Sequence, residues 1–206
     1  MPRKYIVLIT VSLAVVVADQ WTKFLAVRDL TNGMDVRRSL SEQLRVLYST
    51  PPPAGPDGNH FHVKRMVILS ENFFRIRYAE NPGAAWGLFR NLPEEIRGPL
   101  FHVVSIGAVI LIGYYFMKLS AANPAERWAL WGLSLVLGGA LGNYIDRLAR
   151  GFVVDYLEAH WYEKAAWPVF NLADSAICVG IGMLVLDSFV RKEKKDAPVA
   201  AKSRAA

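Results

Sequence analysis

Asp19 and Lys23 stand at i, i+4; Asn143, Asp146 and Arg147 at i, i+3 and i+4; Asn171 and Asp174 at i, i+3. On a helix each set shares one face. Asp155 follows the second set by less than ten positions. Two carboxylates brought close cannot both ionise easily, so they share a proton. One then activates water as a base while the other protonates or polarises a substrate carbonyl. Asp146, Asp155 and Asp174 are all eligible, and spacing does not say which two pair. Other chemistries find no support. Cys178 is the one cysteine, which excludes an internal disulfide and a cysteine-rich metal site. It has no histidine near it in sequence and reads as a small buried apolar side chain. His60, His62, His102 and His160 form no HExxH pattern. No nucleophile elbow and no phosphate loop appears.

The elements that must position these residues are apolar. The chain is 53% hydrophobic over 206 residues, above the usual level of about 45–50%. The excess falls in four blocks. Leu100–Met117 and Trp128–Ile145 each hold 18 residues without a formal charge. Residues 5–27 and 169–190 are apolar apart from the polar groups just named, Asp187 and a few neighbours. A helix crosses a bilayer with about 17–25 residues, and a soluble bundle would need a charged face on each helix. The expectation is therefore an all-α membrane protein of one integral domain, 1–206. It has four transmembrane helices at about 5–27, 100–118, 127–146 and 169–190. The N-terminus resembles a secretory signal peptide, but the apolar run continues through "DQWTKFLAV" without a good cleavage site, so it reads as a retained first helix.

Orientation follows from basic residues. Arg3 and Lys4, Lys118 and Arg127, and six basic against two acidic residues in the tail 191–206 place these segments in the cytoplasm. The outer loop 28–99 carries ten Lys and Arg and eight acidic residues. Long loops translocate with little regard to charge, so the tail decides, and the outer loop 147–168 joins the loop 28–99 on the far side. In the first loop "LRVLY", "HFHVKRMVIL" and "FFRIRY" alternate like short strands. They suggest a small β-sheet cradle on the outer surface, interrupted by the Pro- and Gly-rich tip "STPPPAGPDGNH". "NLPEEI" reads as a short interfacial helix. "VVDYLEAHWYEKAAWPVF", with aromatics among polar residues, reads as a segment of the interface belt. The net charge of +6 suits a basic cytoplasmic side. No basic-aromatic stripe accompanies it, so nucleic acid is not expected as a partner.

In this orientation Asp19, Lys23, Asn143, Asp146, Arg147, Asp155, Asn171 and Asp174 all lie toward one leaflet. Polar residues at helix ends often only anchor and cap, and Asp19–Lys23 could be a structural pair. Asp174 stands apart, with no Lys or Arg within four residues and a position inside an apolar run. A carboxylate in that setting is functional by default. "GGALGN" sets Gly138, Gly139 and Gly142 beside the polar cluster, where small residues allow close approach.

The motifs "ADQWTK" (18–23), "ENPGAAWGLF" (80–89), "GGALGNYIDRLARGFVVDY" (138–156) and "FNLADSAICVG" (170–180) together resemble the lipoprotein signal peptidase (signal peptidase II) family. The resemblance covers most of the chain, from Tyr5 to Val190. It implies an aspartyl endopeptidase of the bacterial inner membrane that cleaves prolipoproteins just before a diacylglyceryl-modified cysteine. It selects Asp155 and Asp174 as the catalytic pair, in "VVD" and "NLAD". It gives supporting roles to Asn143, Asp146, Arg147, Asn81 and the neighbouring Gly83, sets Asn171 beside the pair, and matches Asp19 and Lys23 to the first motif. It implies no cofactor and no metal. The expected partners are prolipoproteins and membrane lipid, and one copy of the four helices is a sufficient unit. The "ENPGAAWGLF" loop is expected to roof a polar cleft. Trp86 and Tyr156 stand where the family commonly has Phe; both keep an aromatic ring. The loop from about Arg37 to Ser70 is longer than the family leads one to expect. A proton-coupled transporter would instead put charges near the midplane and often show an internal repeat; the charges here lie near one face, and no repeat is found.

Overall fold

In the computed structural model, residues 3–56, 58–83, 88–89, 91–119 and 126–196 are described, with side chains as far as Phe189. The elements in order are α1 (Arg3–Leu30), α2 (Leu40–Tyr48), β1 (Val67–Ser70), β2 (Phe74–Asn81), α3 (Glu94–Lys118), α4 (Arg127–Arg150), β3 (Val153–Trp161), β4 (Ala165–Ala166) and α5 (Leu172–Asp196). Helices α1, α3, α4 and α5 are long and apolar enough to cross a membrane. Their outward faces carry Leu13 and Val17, Val103 and Ile110, and Val185 and Phe189, all exposed. Large apolar side chains cover the outside of the bundle, as they do where lipid is the solvent.

α4 is the central post and packs against α1, α3 and α5. Its glycines set those distances. A Cβ on Gly138 would meet Ser12 and Val15 of α1, one on Gly139 would meet the Ala173 carbonyl of α5, and Gly132 and Gly180 face one another across the α4–α5 contact. Backbones that approach this closely exchange dispersion contact without side-chain bulk between them. At the end of the bundle away from the sheet, Lys4 Nζ donates to the carbonyls of Met117 (3.0 Å) and Leu119 (2.7 Å), a cation at a helix C-terminus.

The expected combination of four spanning helices and a small sheet is present. The sheet is four-stranded, in the order β1-β2-β3-β4, with every pair antiparallel. It is not confined to the first outer loop: β3 and β4 come from the second, where the sequence suggested an interfacial segment. "VVDYLEAHW" became a strand because β2 offers it a full edge, and its side chains from Val153 to Tyr156 are all buried. "LRVLY" is helical rather than extended, as part of α2. The stop-start signal lies just upstream, where Ser39 and Glu42 form a reciprocal capping box, and Leu47 on the resulting helix is fully buried. "NLPEEI" is not a separate helix. Pro93 caps α3, which runs on through Pro99. A proline this near the first turn removes one ladder bond without ending the helix. α4 likewise extends one turn past the expected end and stops at Gly151, whose φ of 79° is open to glycine at little cost. Cys178 is exposed, not buried: it faces outward from α5.

Candidate active site

α5 begins at Leu172, so Asp174 is its third residue. The Asn171 side chain accepts from the Asp174 amide (2.9 Å) while Asp174 Oδ2 accepts from the Asn171 amide (3.1 Å). That is a reciprocal capping box with Asn and Asp in the two roles. The amide of Ala173 donates to Asp19 Oδ1 (3.0 Å), so α5 opens with two of its free N–H groups satisfied. Asp174 is therefore a first-turn residue, shallower than a helix starting at 169 would have placed it.

β3 supplies Asp155. Asn171 Nδ2 donates to Asp155 Oδ1 (2.7 Å) and Asn81 Nδ2 to Asp155 Oδ2 (3.1 Å). Asn81 pairs with Val153 across the β2–β3 ladder, so Asp155 is its diagonal neighbour on the same face. A bulge between Ile76 and Ala79 sets this register, since an extra residue shifts which side chains face one way. The amide of Phe170 donates to the Leu157 carbonyl (2.9 Å), and the amides of Tyr156 and Leu157 return to the Phe170 carbonyl. Strand and helix start are thus stitched together one residue before Asn171. Asn143 of α4 completes the pair's surroundings by donating from Nδ2 to Asp174 Oδ1 (2.8 Å).

Beneath the pair lies a buried charge network. Lys23, Asp19 and Asp146 have side chains with no exposure, and Lys23 Nζ reaches Asp19 Oδ2 (2.8 Å), Asp146 Oδ2 (3.1 Å) and Asn143 Oδ1 (2.9 Å). Those contacts use the three donors of an ammonium. Arg150 binds Asp146 from one turn on. Two cations thus balance two anions, which is what lets the cluster stay buried. Arg147 leaves this cluster: its guanidinium lies over the Phe101 ring (4.6 Å) and donates to the Gly83 carbonyl (3.1 Å). The Gly83 amide in turn donates to Asn81 Oδ1 (3.0 Å). A cavity of about 240 Å³ opens here, lined by Arg97, Phe101, His102 and Arg147 among others.

Asp155, Asp174, Asp19, Lys23, Asn81, Gly83, Asn143, Asp146, Arg147 and Asn171 therefore sit in one connected constellation. Ala84–Gly87, including Trp86, lie outside the described residues, as do residues 120–125 and the end of the tail. Arg150 and Glu80 are participants that sequence reasoning passed over. Arg150 had a signal, the i+4 spacing from Asp146; Glu80 had none. Burial raises the Asp155 carboxyl to about 8, and the nearby charge of Asp174 adds to the rise, while Asn81, Lys23 and Asn171 oppose it. A site that holds one carboxyl protonated near neutrality beside a second carboxylate, with amide donors fixing both, can perform general acid–base attack by water.

A family model described as "Signal peptidase (SPase) II" matches residues 11–190. The chain is 41% identical over 187 residues, 89% of its length, to a "Lipoprotein signal peptidase" of Anaeromyxobacter sp. (strain Fw109-5), covering 84% of that protein. It is 47% identical over 115 residues to one from Syntrophotalea carbinolica, covering 56% of this chain and 68% of that protein. A solved structure described as "Bacterial membrane enzyme structure by the in meso method at 2.3 A resolution" superposes with a TM-score of 0.64 over 93% of this chain and 92% of that one, at 24% identity. That likeness concerns the fold.

Proposed function

This chain belongs to the signal peptidase II family of aspartic peptidases and is a multi-pass bacterial membrane protein, and on that premise we propose that it releases signal peptides from prolipoproteins by cutting just before the diacylglyceryl-modified cysteine, with Asp155 and Asp174 as its dyad. The observation that carries the reading is the Asn171 side chain, which donates to Asp155 while capping the helix turn that presents Asp174. One amide thus fixes the relative position of two carboxylates that arrive from different elements.

In the reaction Asp174 takes a proton from water, the water oxygen adds to the scissile carbonyl carbon, and Asp155 gives its proton to the carbonyl oxygen. The resulting gem-diol collapses as Asp174 returns its proton to the departing amide nitrogen and Asp155 recovers one from a diol hydroxyl. The C–N bond breaks, and both aspartates end as they began. The substrate's acyl chains stay in the bilayer and hold the scissile bond at the outer ends of α4 and α5. Desolvation there strengthens each electrostatic contact. Arg147, held over Phe101 and against Gly83, flanks the cleft through which the peptide enters. Asp19, Lys23 and Asp146 serve as its foundation and do not touch substrate.

The test is cleavage of a diacylglyceryl-modified prolipoprotein by purified enzyme in detergent. Asp155→Asn and Asp174→Asn are expected to be folded and inactive, and Asp146→Asn to keep some turnover. Cleavage by both dyad variants would sink the assignment. Loss of wild-type activity to a strong chelator would point instead to a cation held by the aspartates.

A further inference from the structure

We propose that the long segment between α1 and β1 is a two-armed brace that positions Asp155. The inference rests on the dyad reading above. It concerns residues that make none of the side-chain hydrogen bonds to Asp155 or Asp174 described above.

The first arm runs through α2. Tyr48 Oη donates to Gln20 Oε1 (3.0 Å), and the Leu47 carbonyl accepts from Arg150 Nη1 (2.8 Å). The Arg150 guanidinium also lies 5.6 Å from the Tyr48 ring centre. Gln20 and Arg150 converge on one oxygen, Asp146 Oδ1, with Gln20 Nε2 at 2.8 Å. The other oxygen, Asp146 Oδ2, accepts the backbone N–H of Val154 (3.0 Å), the residue before Asp155. α2 therefore orients the two groups that orient the carboxylate that holds the strand at Asp155. α2 is seated firmly enough for this, because Leu47 and Gln43 are buried and Leu47 belongs to the core beneath the sheet.

The second arm runs through the turn at 60–61. The Glu80 carboxylate, 4% exposed, accepts from the amides of His60 (2.9 Å) and Phe61 (3.0 Å), contacts His60 Nδ1 (2.6 Å) and accepts from Tyr78 Oη (2.8 Å). Glu80 is the residue before Asn81, which donates to Asp155 Oδ2. The His60 ring also stacks on Phe152 (centres 4.9 Å apart, planes at 14°), next to the start of β3. This arm fixes β2 and the entry to β3 against each other, and so fixes the Asn81–Asp155 contact.

The first arm ends on the backbone N–H of Val154, next to Asp155, and the second reaches the Asp155 side chain through Asn81. A local reach of about 1 Å at a reacting group is worth about a hundredfold in rate, and positions on rigid elements are held better than those on loops. A small group removed from either arm therefore acts on turnover rather than on substrate binding.

The experiment compares kcat and KM per folded molecule, with thermal unfolding alongside, for Tyr48→Phe, Glu80→Ala, Glu80→Gln, Asp155→Asn and the exposed α2 control Arg45→Ala. Tyr48→Phe and Glu80→Ala are expected to lower kcat roughly tenfold at unchanged KM. Glu80→Gln, which keeps an acceptor oxygen, is expected to recover most of that loss, and Arg45→Ala to match wild type. Wild-type kcat in Tyr48→Phe and Glu80→Gln, with only a lowered melting temperature in Glu80→Ala, would reduce the segment to a structural role and overturn the brace. A raised KM at unchanged kcat would overturn it also, by making the segment a substrate contact. Activity in Asp155→Asn would remove the dyad itself, a failure distinct from either.

Discussion

Asp174 sits in an apolar run because one carboxylate there meets two demands. Oδ2 closes the cap of α5 and Oδ1 accepts from Asn143, so its position is fixed by the helix start itself. Asp155 is held differently, by two side-chain amides in a nearly closed setting, and burial raises it to about 8 from the ordinary 3.8. A carboxyl raised in the folded state binds its proton more tightly than in the unfolded chain. Its contribution to stability is therefore complete below about pH 4 and is lost as pH rises through about 8. Two outcomes are expected. Turnover of the wild type should fall along an alkaline limb centred near pH 8. The melting temperature of Asp155→Asn minus that of wild type should grow between pH 5 and pH 8; a pH-independent difference in melting scans would contradict the raised value. The charge network below calls for gentler probes. Removing Lys23 strands Asp19 and Asp146 and costs about 3–5 kcal/mol. Loss of activity there would report unfolding, whereas removal of a neutral hydroxyl costs about 1 kcal/mol.

Among the elements, α4 decides the geometry. Its Gly139 lets the Ala173 carbonyl of α5 come close, and Gly142 lies against Asp19. A methyl group at Gly139 has to push the first turn of α5, and Asp174 with it. Gly139→Ala is expected to destabilise by about 1–3 kcal/mol and to lower turnover more than that instability explains. Gly107→Ala on α3, where nothing lies within 4 Å, is expected to leave both unchanged. Thermal unfolding and cleavage rates measured side by side in detergent check the pair, and equal behaviour of the two variants would show that the α4–α5 approach does not govern the site. The β2–β3 ladder is the second deciding element. It turns residues that look like an interfacial segment into the strand that carries Asp155, and it does so with a partner more than seventy positions away in the chain.

At the scale of the molecule, lipid and water divide the chain. Four spanning helices put the two termini on one side, and we take that side as the cytoplasm because the positive-inside rule assigns the basic tail to it. On the proposed reading the sheet and the site then face outward, toward a translocated prolipoprotein. In a Cys178→Ser background, Thr50→Cys is expected to react with a membrane-impermeant maleimide added to spheroplasts. Lys118→Cys is expected to react only after the inner face is opened. The reverse pattern would invert the topology and remove the outer-face site from the proposal.

The sequence by itself determined the four spans, the membrane setting and the polar residues that gather at one end. Apolar run length and helical spacing are local properties, and lipid leaves the backbone few alternatives to a helix. The four motifs carried the family. The sequence also held signals that short windows hide: the capping box that makes "LSEQLRVLY" a helix, and the i+4 spacing that brings Arg150 to Asp146. Only the tertiary structure decided the rest. The strand identity of 153–161, the outward face of Cys178 and the contacts of Tyr48 with Gln20 and of Glu80 with residues 60 and 61 depend on partners distant in the chain. Edge pairing, helix rotation and buried polar satisfaction are set by what packs opposite, and no local pattern records that.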